Sequence, residues 1–281
     1  MATDEQIRAH IVDVGRRLWD RGYVASNDGN ISVRLDERRI LTTPKGVSKG
    51  FMTPDMMVVT DLEGRRLAGD RDPSSELKLH LQVYRDRPDA RAVVHAHPPT
   101  ATGFAVAGIP LDRAVLAEVV TTLGSVPIAE YATPSTKELP EAVRRYVQTH
   151  DGMLLANHGA LTLGADLFAA YFKMETIEHF AKISLVARLL GGERVLSREE
   201  VFRLQDLRGR YGVASPAPIC ADPAPPGTDC QVVQAPSSPG QRLVHDRVAF
   251  GNTSGTPSDR EIRLTYGELT ALIEDAIRDL R

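Results

Sequence analysis

Seven prolines, Pro216, Pro218, Pro223, Pro225, Pro226, Pro236 and Pro239, fall between Ala214 and Gly240. Each fixes its own φ and lacks a backbone N–H, so this density prevents both a helix and a central strand. The stretch is therefore expected to be a linker or an extended arm over 214–242. It divides the 281 residues into a first part, 1–213, that must hold the folded core, and a C-terminal extension, 243–281. Within that extension Thr265-Tyr266-Gly267-Glu268 has the form of a helix cap, and Leu269, Leu272, Ile273, Ala276, Ile277 and Leu280 follow on one helical side. Such a stripe needs cover, from the chain's own core or from a neighbouring subunit.

The first part alternates helical and β periodicities. Thr3-Asp4-Glu5-Gln6 is a capping-box pattern ahead of Ile7, Ile11, Val14 and Leu18, which predicts a helix to about Arg21. Three β-prone runs follow, Asn30 to Leu35, Arg39 to Thr43 and Met56 to Thr60, bounded by Gly, Pro and Asp. Short turns such as Asp61-Leu62-Glu63-Gly64 make them antiparallel strands. A helix is expected from Ser75 to Arg85, a buried strand from Arg91 to His95, and another strand near Val126 to Ala129. Next come a helix from Thr136 to Thr149, a strand from Met153 to Ala156 and a long helix from Asp166 to Leu190. Ser197-Arg198-Glu199-Glu200 caps a last core helix.

Several function classes are excluded at this level. The formal charge is −3 with the signs interspersed, whereas phosphate-backbone binding wants a concentrated basic face, so no nucleic-acid partner is expected. Pairs such as Arg65-Arg66 and Arg144-Arg145 read as solvated faces. No run approaches the roughly 20 apolar residues that span a bilayer, and the start has neither part of a signal peptide, so a cytoplasmic protein without membrane contact is expected. Cys220 and Cys230 lie in the proline-rich stretch, outside any metal-ligand spacing.

The chemistry gathers at strand ends. In Val94-His95-Ala96-His97-Pro98 the period of two points both imidazoles to one side of a sheet, which offers two ligands to one metal. A catalytic zinc takes three protein ligands and keeps a position for water or substrate. His158, in Asn157-His158-Gly159 directly after the apolar strand, can be the third, on a tight loop where glycine permits an unusual backbone. His80 and His179 sit in helical patterns, and His10, His150 and His245 lack partners in sequence; these read as surface or hydrogen-bonded histidines. Pro73-Ser74-Ser75-Glu76 precedes a helix, where hydroxyls and free N–H groups suit either an anion or a plain N-cap. Asn27-Asp28-Gly29-Asn30 and Thr43-Pro44-Lys45-Gly46 are loops that let backbone amides approach a ligand, or simple turns. An ammonium at Lys45 would strengthen phosphate binding beside such donors.

The order Gly29-Asn30-x-Ser32, Thr43-Pro44-Lys45-Gly46, Ser74-Ser75-Glu76, His95-x-His97-Pro98 and Asn157-His158-Gly159 resembles the class II aldolase/adducin family, most closely its fuculose-phosphate aldolases, over about Ile7 to Tyr211. The resemblance implies a three-layer α/β/α fold with a mainly antiparallel central sheet, assembled as a homotetramer with active sites between subunits. It implies one zinc ion per subunit on His95, His97 and His158, with Glu76 as catalytic acid/base and as a fourth ligand when substrate is absent. It also implies phosphate held by Asn30, Gly46, Ser74 and Ser75, with Gly29 shaping the loop.

The reaction so implied is reversible cleavage of a ketose 1-phosphate to dihydroxyacetone phosphate and an aldehyde. Rival reactions on the same site are dehydration of a methylthioribulose-phosphate type of substrate, decarboxylation and 4-epimerisation; a non-enzymatic, adducin-like assembly module is the alternative from another class. Lys45 stands where those aldolases carry threonine or serine. Leu116 falls near the position of an interface tyrosine, whereas Tyr211, in Arg210-Tyr211-Gly212, matches a second one and is the further catalytic candidate. Beyond about Val213 the chain extends past the family core.

Overall fold

The computed structural model describes residues 2–209 and Ile219; Tyr211, both cysteines, the linker expected over 214–242 apart from Ile219, and the extension expected over 243–281 lie outside the described residues. Among the described residues one sheet of eight strands organises everything else. In chain order these are β1 (Asn30–Arg34), β2 (Ile40–Thr42), β3 (Val58–Thr60), β4 (Arg66–Ala68), β5 (Ala92–Ala96), β6 (Ile128–Ala129), β7 (Gly152–Leu155) and β8 (Gly159–Gly164). Their spatial order is β4-β3-β2-β1-β5-β8-β7-β6. Every neighbouring pair is antiparallel except β6 with β7, the pair separated in sequence by the helix Glu138–Val147, as a parallel crossover demands.

Helices cover both faces, which is why β1, β5, β7 and β8 are buried on both sides instead of alternating buried with exposed residues. One face carries Ile40, Val93, Met153, Leu155, Leu161 and Leu163, packed beneath α2 (Leu77–Asp86) and α5 (Glu138–Val147). The opposite face carries Ile31, Val33, Val94, Leu154 and Ala160 in a cluster with apolar residues of α1 (Asp4–Asp20), α3 (Pro99–Val106), α4 (Ala117–Thr122), α6 (Leu167–Leu189) and α7 (Arg198–Arg208). This is the expected α/β/α sandwich with a mainly antiparallel sheet. On α1, Ile11, Val14 and Leu18 are wholly buried, each contributing roughly 1.5–3 kcal/mol. The capping boxes expected at Thr3 with Gln6 and at Ser197 with Glu200 form; the cap expected at Thr265 lies outside the described residues.

The differences from the sequence reading are local. The strand expected from Met56 begins at Val58, because Pro54–Met56 winds into a 3-10 turn. α2 begins at Leu77 with Glu76 as its N-cap residue, so the carboxylate stands at the helix mouth and not within its first turn. Four elements lacked a sequence signal: β4, β8, α3 and α4. Among the described residues no helix is long and apolar enough to cross a membrane, and Arg65, Arg66, Arg144 and Arg145 are exposed.

Candidate metal centre and anion cleft

His95 is the penultimate residue of the buried strand β5, and its Nδ1 lies 2.9 Å from the carbonyl oxygen of Ala160 on the adjacent β8. A carbonyl can only accept, so Nδ1 carries the proton and Nε2 presents a lone pair. His97, one residue past the strand, turns its Nδ1 to Asp28 Oδ2 at 3.4 Å, which leaves its Nε2 a lone pair as well. These two Nε2 atoms face each other at 3.1 Å. Opposed lone pairs at that distance repel unless a cation lies between them. His158 completes the group: the ligating atoms of the three rings all lie within 4.8 Å of one another. Three neutral imidazoles with an open side fit a catalytic divalent ion of the zinc type.

The third ring arrives by a hairpin between β7 and β8, in which Leu155 pairs with Gly159 across Ala156-Asn157-His158. Glycine was expected to supply the unusual backbone there, but Asn157 does so, with φ of 54°, a conformation asparagine tolerates better than most residues. Gly159 is required for space: a Cβ on it would stand 2.5 Å from the His97 ring. Gly29 is constrained twice over, with φ of +70° and the His95 carbonyl oxygen 2.8 Å from where a Cβ would be.

Glu76 links the three imidazoles to the helix mouth. Its Oε2 lies 3.3 Å from His95 Nε2 and its Oε1 3.3 Å from His158 Nε2, while Asn30 Nδ2 donates to Oε2 at 3.2 Å. Burial pushes its carboxyl up, while protonation of the neighbouring imidazoles, His95 first through a hydrogen bond and its charge, then His158 and His80 through theirs, brings it down to about 2. Burial, then the charge of His95, lowers His158 to about 4 and lowers His97 too. Both therefore favour the neutral imidazole that a metal binds.

The two remaining motifs are brought to the same place by backbone pairing. Lys45 N donates to Asp72 O at 2.9 Å, Ser74 N to Thr43 O at 3.2 Å, and Pro44 bridges Pro73. Ser74 Oγ accepts from Glu76 N at 3.3 Å. As a result Gly29, Asn30, Lys45, Gly46, Ser74, Ser75, Glu76, His97 and His158 all line one cavity of about 300 Å³; His95 lies behind it, fully buried.

Lys49 and Asp28 also belong to this cavity. Sequence reasoning gave neither a role, since nothing periodic marks a lysine that points inward. Leu116 lies elsewhere, on a groove of about 1020 Å³ with Arg21, Glu118 and Phe172. Of the histidines set aside, His80 and His150 are buried and hydrogen-bonded to Ser32 and Ser125, while His10 and His179 are exposed.

Fold and site define a class of protein that comparison with known sequences identifies. Residues 9–185 match the family described as Class II Aldolase and Adducin N-terminal domain, and the chain belongs to that family.

Its relatives carry more than one activity. It is 34% identical to a 3-oxo-tetronate 4-phosphate decarboxylase of Haemophilus influenzae, over 74% of this chain and 100% of the relative. It is also 34% identical to an L-fuculose phosphate aldolase of Methanococcus maripaludis, over 62% of this chain and 94% of the relative. Among solved structures, the L-fuculose-1-phosphate aldolase of Thermus thermophilus superposes with a TM-score of 0.60 at 33% identity, covering 68% of this chain and 98% of that one.

Proposed function

We propose that the protein is a zinc-dependent lyase that makes or breaks the carbon–carbon bond beside the ketone of a small phosphorylated sugar. Its reaction in this reading is reversible cleavage of a ketose 1-phosphate to dihydroxyacetone phosphate and an aldehyde. The observation that carries the proposal is a single cavity with three converging imidazoles and a carboxylate at one end and the Lys45-Gly46 and Ser74-Ser75 loops at the other. Relatives named as aldolase and as decarboxylase, both acting on sugar phosphates, support it.

His95, His97 and His158 would hold the ion, whose charge, when bound, stabilises the enediolate left by bond cleavage. Asn30, Ser74 and Ser75, with the backbone of Gly46 and the loop shaped by Gly29, hold the phosphate, and Lys45 adds charge at the cavity rim. Glu76 carries the proton to and from the reacting carbon, oriented by the Asn30 amide. Tyr211 is the proposed catalytic group on the aldehyde side, in a cytoplasmic homotetramer whose sites lie between subunits.

Decarboxylation is the second reading, favoured by the relative named 3-oxo-tetronate 4-phosphate decarboxylase, which this chain matches over the whole of that relative's length. The complete histidine set speaks for chemistry over a purely architectural role of the adducin type. The test is to incubate the zinc-loaded full chain with dihydroxyacetone phosphate and a panel of aldehydes, and separately with 3-oxo acid phosphates. Aldol products are expected. Carbon dioxide release without aldol products would establish the second reading, and no product together with no bound divalent metal would return the chain to an assembly role.

A further inference from the structure

Lys49 is 2% exposed, an unusual position for an ammonium, because lysine is almost never fully buried without a partner. Among the described residues it forms no ion pair with a carboxylate. Its Nζ instead donates to two neutral carbonyls, Asn27 O at 3.1 Å and Val47 O at 2.6 Å. These belong to the two loops that frame the anion end of the cavity: the one leading into Gly29 and Asn30, and the one leaving Lys45 and Gly46. The backbone that carries Lys49 is closely packed as well. A Cβ on Gly15 of α1 would fall 2.8 Å from Lys49 O, and one on Gly50 would fall 2.5 Å from the Trp19 ring. Two glycines thus let the Lys49–Phe51 turn lie directly on α1. Burial also brings the ammonium down to about 8, with the Asp28 charge opposing, so it remains largely protonated at neutral pH.

We propose that Lys49 is a positioning residue of the anion subsite: it ties the Asn27 and Val47 carbonyls together, sets the separation of the two loops, and leaves an unneutralised positive charge beneath them that favours a phosphate dianion. Two features motivate it. A lysine whose hydrogen bonds all go to carbonyls, with Asp28 acting on it only through space, keeps most of its charge for whatever enters the cavity, and the carbonyls it joins are contributed by separate loops. The inference rests on the phosphate-binding part of the proposed function. It adds a residue that acts through the loops, distinct from Lys45, whose side chain is exposed at the rim.

The experiment compares wild type, Lys49→Met and Lys49→Gln as zinc-loaded full chains, with inorganic phosphate and dihydroxyacetone phosphate as probes. Methionine keeps the stem's volume and removes both charge and clamp. Glutamine keeps an NH₂ able to bridge both carbonyls but has no charge. Phosphate affinity, read by calorimetry, should fall roughly tenfold in Lys49→Met and by less in Lys49→Gln. The KM for dihydroxyacetone phosphate should rise in parallel while kcat and zinc content stay near wild type, a split that a general loss of folding would not produce. Wild-type phosphate affinity in either folded variant overturns the inference, and Lys49→Gln decides alone where Lys49→Met does not fold. Failure of the wild type to bind either probe would overturn the phosphate reading itself, and the Lys49 inference with it.

Discussion

Glu76 and His95 meet at 3.3 Å, Oε2 to Nε2, through the same imidazole nitrogen that is free to bind a metal. The carboxylate is therefore placed to serve the ion or the substrate, and substitution separates the two uses. Glu76→Gln keeps all three imidazoles, so the protein should retain its divalent metal while turnover falls by about 10² or more, the range for loss of a positioned acid/base. His95→Ala should lose metal and turnover together. Metal content by atomic absorption alongside the rate of product formation checks both; equal metal loss in the two variants would make Glu76 chiefly structural.

Asp28 should tune the metal without touching it. Its Oδ2 lies 3.4 Å from His97 Nδ1, which fixes the proton on Nδ1 and aims Nε2 at the ion. Partners of this kind typically change affinity by 10- to 100-fold. Asp28 is partly exposed, so Asp28→Asn is expected at the lower end, about tenfold weaker for zinc in competition with a chelator. Unchanged affinity would mean the Ala160 contact of His95 and the packing of Gly159 suffice to orient the rings.

Lys45 is exposed at the cavity rim, where its charge acts on incoming substrate with little cost to the fold. Lys45→Ala should raise KM for a phosphorylated substrate more than it alters turnover of an unphosphorylated analogue, the pattern of lost ground-state binding. Steady-state kinetics on the pair decides it, and an equal effect on both substrates would remove Lys45 from the proposed phosphate site.

What the sequence made legible follows from where the determinants lie. The three imidazoles, Glu76 and the loops around Lys45 and Ser74 were legible because each sits at the junction of a strand or helix with a turn, and turn residues mark such junctions locally. β8 was not, because Gly159 and Gly164 read as loop punctuation; in the structure both permit close approach, since a Cβ on Gly164 would meet Ala170 N at 2.5 Å. α3 was hidden for a non-local reason. Its threonines and glycine are weak helix formers, and its first turn is capped from α6, where Glu178 accepts from Thr100 N at 3.0 Å and from Ala101 N at 2.8 Å. β4 is a short exposed edge strand, which offers no apolar pattern to read. Lys49 and Asp28 gain their meaning from loops that meet only in three dimensions.

His80 gives the fold a pH dependence that can be isolated. It is fully buried, with Nδ1 2.7 Å from Ser32 Oγ, which also meets Tyr84 OH at 2.8 Å. Its Nε2 has no hydrogen-bond partner among the described residues. Burial, aided by the charge of His95 and opposed by that of Glu76, lowers it from 6.5 to about 3. Between those values the unfolded chain binds a proton that the folded chain refuses. The neutral folded form is therefore fully favoured above pH 6.5, and stability falls as pH drops through the window, by at most about 1.4 kcal/mol per pH unit. From pH 7 to pH 5 this one group should remove about 2 kcal/mol. His80→Asn, which can still hydrogen-bond Ser32, should be less stable at neutral pH but lack this term. Urea unfolding of both proteins in chelator, so that metal release contributes to neither, should show the wild type losing about 2 kcal/mol more than the variant over that interval. Parallel losses would mean that His80 accepts its proton in the folded state, with the Glu76 carboxylate outweighing burial.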